Sequence, residues 1–123
     1  GTKLIKYHPH GSGKVVIPEG VTTIDYGAFD DCDQITELII PEGVTDLPPF
    51  ALREAKKLHT LRLPNSMQHI GYNCLEHCYH LYYVTMPSHM IVGMDAFPNR
   101  LIVLHNFLRD KQAGLLAKLT GKI

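Results

Sequence analysis

The chain of 123 residues has the length of a single domain, and 45% of its residues are apolar, which is enough for a continuous core. Twelve basic and twelve acidic side chains give a net charge of zero, and no Lys/Arg block stands out. This balance argues against a nucleic-acid partner or an anionic membrane surface bound through bulk charge. No apolar run approaches the roughly 18 residues of a membrane span, so we expect no membrane insertion.

The chain is an array of one 23-residue unit, marked by a proline after an apolar residue at Pro18, Pro41, Pro64 and Pro87. The segments around these prolines read IPEGV, IPEGV, LPNSM and MPSHM, and they align without gaps. A period of about 20 to 29 residues with leucine-type positions predicts a leucine-rich solenoid, in which each unit stacks on the next.

Before the first full unit, two extended segments flank a turn-forming stretch. Residues 4–8 and 14–17 lie on either side of the sequence PHGSG. This pattern predicts a hairpin that covers the first coil, so residues 1–16 are expected to form an N-terminal cap.

Each unit then contains a short strand with the pattern Leu-x-x-Leu-x-Leu. Apolar residues recur every second position, which indicates that alternate side chains point into a core, and proline ends the strand because it has no N–H. The sequence of residues 17–20 predicts a turn with proline at its second position and Gly20 at its fourth. The apolar columns are Ile35, Leu58 and Leu81; Val15, Leu38, Leu61 and Val84; and Ile17, Ile40, Leu63 and Met86.

After the turn, a second apolar pair predicts another extended segment, as with Val21 and Ile24. Small residues follow in two columns, and a coil that passes close behind its neighbour has room for Ala or Cys but not Leu, so both columns are predicted to be internal. In the fourth unit the Ala-Phe pair comes one residue early, which predicts a one-residue shortening between Met90 and Asp95. The small columns are Ala28, Ala51 and Cys74, and Cys32, Ala55 and Cys78.

The end of the chain predicts a last buried strand at residues 101–104, followed by a helix with one leucine face and Gly121 as its C-terminal cap. We therefore expect one leucine-rich repeat domain over residues 1–123, with an N-terminal cap at 1–16, repeats at 17–104 and a C-terminal helical cap at 105–123.

The residues from Ile17 to Pro41, with the pattern IPEGVTxIxxxAFxxCxxIxxLxIP, resemble the BspA-type leucine-rich repeats of surface proteins from gut and oral bacteria and some protists. The resemblance covers roughly residues 14–104. It implies an α/β repeat solenoid of about four repeats, a right-handed coil with short parallel strands, a role in adhesion or protein recognition, and a cell-surface or secreted location. Departures occur at Leu52, Ala55, Leu75 and Arg100, and the family has no shared catalytic residues to carry over.

Cys74, His77, Cys78 and His80 are the densest group of metal-type side chains, and four N/S donors are what tetrahedral zinc requires. If both cysteines point inward with their columns, His77 must point elsewhere, so core packing is favoured over a zinc site. A nucleophilic pair of Cys78 and His80 is a weaker alternative, because no orienting acid lies in register and a buried thiol is inert. We expect no cofactor, no metal and no enzymatic activity.

The outward strand positions predict a binding face, because Tyr and Arg are enriched at binding hot spots. We expect a protein or peptide partner to contact it around Tyr83 and Arg62. The alternatives are an ordinary solvated sheet face, and a structural spacer of a longer surface protein with no ligand of its own. The predicted face comprises Lys14, Val16, Glu37, Ile39, Thr60, Arg62, Tyr83 and Thr85, with His59 and Tyr82 at its border.

Overall fold

The computed structural model describes residues 1–7 and 13–98 and the backbone of residues 102–105. Short strands alternate with turns along this part of the chain, because each unit holds two apolar stretches separated by Pro-containing turns. The strands are β1 (Thr2–Leu4), β2 (Gly13–Val16), β3 (Val21–Ile24), β4 (Ile35–Ile39), β5 (Asp46–Leu47), β6 (Thr60–Arg62), β7 (His69–Ile70), β8 (Tyr83–Met86), β9 (Ile91–Val92) and β10 (Ile102–His105).

Five strands form one parallel sheet, the front sheet, in the order β10-β8-β6-β4-β2. Its register repeats the sequence period, since Glu37 lies opposite Thr60 and Thr60 lies opposite Tyr83. A coil here means one front strand and the residues up to the next, so the first to fourth coils start at β2, β4, β6 and β8. The predicted parallel-strand solenoid of about four turns is confirmed.

A second sheet, the side sheet, is formed by β5, β7 and β9, again in parallel. The residues that return from this side to the next front strand are called the turn side; they are 25–34, 48–57 and 71–80 in the first three coils. Each coil is therefore closed by two strands and a stretch of turns around a shared core.

The predicted N-terminal hairpin is wrong. β1 pairs in parallel with β3, and β2 pairs in parallel with β4, so β1 and β2 belong to different sheets. Residues 1–7 instead follow the path of a preceding half coil: Leu4 lies opposite Ile24, and the Tyr7 N–H donates to the Ala28 carbonyl over 2.7 Å. In this position Leu4 and Tyr7 pack against the core. A hairpin on β2 would leave this part of the core uncovered.

The predicted core columns are confirmed. Leu38, Leu61 and Val84 are fully buried, as are the small residues Ala28 and Cys74. Because successive coils place buried apolar side chains at equivalent points, the core continues through the stack without a break.

The turn after each front strand begins one residue later than predicted. The Val21 N–H donates to the Pro18 carbonyl, which makes Pro18 the first turn residue and Gly20 the third. Gly20 has φ of 97° and Gly43 has φ of 105°, so these turns match type II, which favours glycine at that point. In the third coil Ser66 replaces the glycine, and its backbone is not left-handed.

The fourth coil is shortened as predicted. His69 pairs with Ile91, 22 residues on, whereas Asp46 pairs with His69, 23 residues on. β10 confirms the last strand but extends to His105, the first residue assigned to the C-terminal helical cap. The rest of that predicted helix lies outside the described residues. Within the described part of the chain, no helix has the length and apolar character needed to cross a bilayer.

Candidate interaction surfaces

The outward face of the front sheet carries two rows of side chains, one above the other across the strands. Parallel pairing places Lys14 beside Glu37, and Ile39 beside Arg62. Period-two alternation turns these four side chains away from the core.

Glu37 and Arg62 are joined across neighbouring strands. Arg62 Nε donates to Glu37 Oε2 over 2.7 Å. This hydrogen bond holds the pKa of the Glu37 carboxyl below its ordinary value, although partial burial acts in the opposite direction. The Arg62 guanidinium is therefore bound to β4, on the side of β6 away from Tyr83.

Thr60 and Thr85 are predicted to be exposed but are only 8% exposed. Thr60 lies between the longer side chains Glu37 and Tyr83 on the adjoining strands. Thr60 Oγ1 also lies 2.8 Å from His59 Nδ1. A short side chain between long neighbours is covered even on the outer face of a sheet, so the threonines shape this face without presenting much area.

The aromatic residues of the predicted face are open to solvent. Tyr82 is 45% exposed and Tyr83 is 47% exposed. The backbone N–H groups of both donate to the His59 carbonyl over 3.1 Å, so the residue just before β6 holds the start of β8. The backbone that carries the exposed rings is therefore held in place by hydrogen bonds to the neighbouring coil.

Side chains one coil apart bind each other outside the front sheet. His69 Nδ1 lies 2.8 Å from Asp46 Oδ1, and His77 Nδ1 lies 2.9 Å from Glu54 Oε1. The His77 hydrogen bond lowers the pKa of the Glu54 carboxyl. These pairs were not predicted from the sequence, although an acid and a histidine spaced by one 23-residue period are a recognisable signal.

The three cysteines are free and buried. Burial raises the pKa of both Cys74 and Cys78 to about 12. Cys78 Sγ donates to the Leu52 carbonyl over 3.1 Å, and His77 is turned outward to Glu54. The two cysteines suggested for zinc thus lie in the core, whereas His77 points outward. The described residues contain no group of three or more His, Cys, Asp or Glu side chains suited to a metal ion.

The turn side carries a groove that the sequence analysis did not predict. It lies between the first and second coils and has a volume of about 760 Å³. Tyr26 and Phe50 line it together with Asp30 and Arg53. The signal for it is faint in the sequence, because its residues come from two coils and differ in type from column to column.

Comparison with known families agrees with this geometry. A family model described as a BspA-type leucine-rich repeat region of six copies matches residues 10–109. The match covers the front strands of all four coils. No curated protein and no solved structure matches the chain. Repeats of this family are generally non-catalytic and suggest a protein-interaction or adhesion module.

Proposed function

Because the chain belongs to the BspA-type leucine-rich repeat family, we propose that it is a non-catalytic recognition or adhesion module that binds a protein or peptide through its front sheet. The observation that supports this most is the pair of exposed rings, Tyr83 at the start of β8 and Tyr82 just before it, since β8 is held on both sides by parallel neighbours. Rigid aromatic side chains bury a large area at a small entropic cost, which is why they anchor interfaces.

The size of the face sets the strength of binding. Five strands at about 4.8 Å spacing and four residues at about 3.3 Å rise give a patch of roughly 20 by 13 Å. A stable interface buries on the order of 800 Å² per partner, so this patch alone supports modest affinity. The partner contact therefore extends past Tyr82 to His59 at the border, or gains strength from linked copies.

The test compares two matched double variants, each of which removes one tyrosine and one arginine. Peptides selected from a display library against the whole chain are titrated against Tyr83→Ala/Arg62→Ala on the front sheet and Tyr26→Ala/Arg53→Ala on the turn side. We expect the front-sheet variant to lose about 2 kcal/mol of binding free energy, roughly a 30-fold weakening, with little change in melting temperature.

Two results would contradict the proposal. Peptides that all depend on the turn-side pair and on neither front-sheet residue would place recognition elsewhere. A library that yields no binder would favour the alternative of a structural spacer with no ligand of its own.

A further inference from the structure

An apolar ridge runs along the turn side of the coil. Tyr26, Pro49, Tyr72 and Met94 occupy the same position in successive coils. The Phe50 N–H donates to the Tyr72 carbonyl over 3.3 Å, and the Asn73 N–H donates to the Met94 carbonyl over 3.1 Å, so neighbouring ridge residues are locked together through the backbone.

Three of the four ridge residues are exposed, and Pro49 is half-buried. Tyr26 is 60% exposed, Tyr72 is 52% exposed and Met94 is 79% exposed. At about 4.8 Å per coil the row spans roughly 14 Å. Single exposed apolar side chains are common on soluble proteins, but a contiguous row of them marks an interaction surface.

The groove between the first and second coils opens beside this ridge. Its aromatic wall consists of Tyr26 and Phe50, and the Phe50 ring packs edge-on against Tyr72 with centroids 5.4 Å apart. Asp30, Asp31 and Asp33 of the first coil also line the groove. The groove lining thus combines aromatic residues with acidic residues.

The cations that line the groove already have partners. Arg53 Nε lies 3.2 Å from Glu76 Oε2, and its guanidinium lies 5.3 Å from the centre of the Phe50 ring. Lys56 Nζ lies 3.9 Å from Glu54 Oε2. Both groove-lining cations are therefore paired with glutamates of the second and third coils.

None of the ion pairs formed within residues 1–7 and 13–98 includes the three aspartates. Lys6 is close, but its Nζ donates to the Asp30 backbone carbonyl over 2.7 Å. Burial raises the pKa of the neighbouring Cys32 thiol. The positive charge of Lys6 acts in the opposite direction, and the carboxylates of Asp31, Asp30 and Asp33 raise the pKa further.

We propose that this groove binds an extended, positively charged polypeptide segment, with its Lys or Arg head groups at Asp30, Asp31 and Asp33 and its apolar side chains on Tyr26 and Phe50. Charge complementarity selects the basic partner. A long basic side chain also suits both kinds of lining residue, since its alkyl stem packs on aromatic surface while its charged end reaches a carboxylate. A polypeptide suits the site because the apolar wall continues along the ridge to Tyr72 and Met94.

This site is distinct from the proposed front-sheet site. The front sheet and the turn side are separated by the buried core, which includes Leu38 and Leu52. Either surface can therefore fail its test without affecting the other.

The test uses the whole chain and a defined probe. The probe is a proline-spaced peptide with three arginines and three leucines, and its control carries glutamate in place of each arginine. In ¹⁵N NMR titrations we expect the arginine peptide to shift the amide signals of Tyr26, Asp30, Asp31 and Asp33, and the glutamate peptide to shift none of them. Binding should weaken as salt rises from low to physiological strength, because the carboxylates are exposed to screening.

Variants separate the contributions of the acidic and the aromatic residues to peptide binding. Asp30→Asn/Asp31→Asn/Asp33→Asn should weaken the arginine peptide roughly tenfold or more. Tyr26→Ser should also weaken it while keeping the salt dependence. Glu19→Gln is the matched control for the single change Asp33→Asn, since each removes one exposed carboxylate, and only Asp33→Asn should reduce affinity.

Four results would overturn the proposal. They are equal binding of the two peptides, signal changes confined to the front sheet, an affinity that is unchanged when all three aspartates are replaced, and absence of binding at millimolar peptide.

Discussion

The Nε of Arg62 lies 2.7 Å from the Oε2 of Glu37, one coil earlier and two residues further back along the front strand. This diagonal contact crosses the face proposed for binding, and it couples the charge of two adjacent strands. It also decides where the guanidinium points, since a carboxylate on β4 holds it away from β8.

Replacing Arg62 with glutamine should raise the pKa of Glu37 toward its ordinary value, because the hydrogen bond from Arg62 is the main cause that lowers it. The folded-state pKa is lowered, so the pair stabilises the fold above the unfolded pKa of about 4.3 and this contribution is lost as pH falls through the folded-state pKa. Carboxyl-carbon NMR titration measures the shift, with Arg53→Gln as the control. An identical Glu37 titration in Arg62→Gln would show that the hydrogen bond is absent in solution.

The neighbours Ile39 and Ile40 should respond very differently to aspartate. Ile40 is 3% exposed, whereas Ile39 faces outward and is half-buried. Ile40→Asp should cost several kcal/mol of unfolding free energy, since it buries an unpaired carboxylate, and Ile39→Asp should cost about 1 kcal/mol or less. Urea denaturation measures both. Equal losses would mean that the register of β4 is shifted.

Gly71 should not tolerate a methyl group. A Cβ at Gly71 would lie 2.3 Å from the backbone N of Pro49 in the preceding coil, and backbone atoms cannot move aside without separating the coils. Gly71→Ala should therefore destabilise the fold by about 1–3 kcal/mol or more. Gly27→Ala is the control, because there the nearest atom is the flexible carboxylate of Asp30. Similar thermal stability of the two variants would contradict this close approach.

Asn73 adopts a left-handed backbone with φ of 50° on the turn side. Asn73→Gly should leave the unfolding free energy within about 0.5 kcal/mol, because glycine adopts this conformation freely. Asn73→Val should lose about 1–2 kcal/mol, since a β-branched residue is strained there. Gln68→Val, at an exposed position without positive φ, controls for the effect of valine itself. A stable Asn73→Val variant would show that the turn adopts another conformation.

The thiols of Cys74 and Cys78 should react with Ellman's reagent only after unfolding. Both are buried and their pKa is raised to about 12, so almost no thiolate is present near pH 8. The native chain should label slowly, and the chain in guanidinium should release three thiol equivalents, matching its three cysteines. Elemental analysis that finds one zinc per chain, lost in Cys74→Ser, would reverse the assignment of these cysteines to the core.

Sequence periodicity was sufficient to predict the coil, its strand register and the columns of its core. A constant 23-residue step lets each unit bury its apolar face only on an identical neighbour, so equivalent residues must stack in parallel. The burial of Leu38, Leu61 and Val84 follows directly from this rule. The Ala-Phe pair that comes one residue early in the fourth unit likewise predicts the earlier register at Ile91.

Features that depend on contacts between unlike residues in neighbouring coils were decided only by the tertiary structure. Residues 1–7 match no full unit, yet their backbone completes a half coil because the edge of β3 offers them hydrogen bonds. Thr60 is covered by the longer residues beside it, and Arg62 is held by Glu37. The groove at Asp30 and Phe50 likewise depends on unlike residues in two adjacent coils. Periodicity determines which residues stack, whereas side-chain length and charge in adjacent coils determine which surface they form.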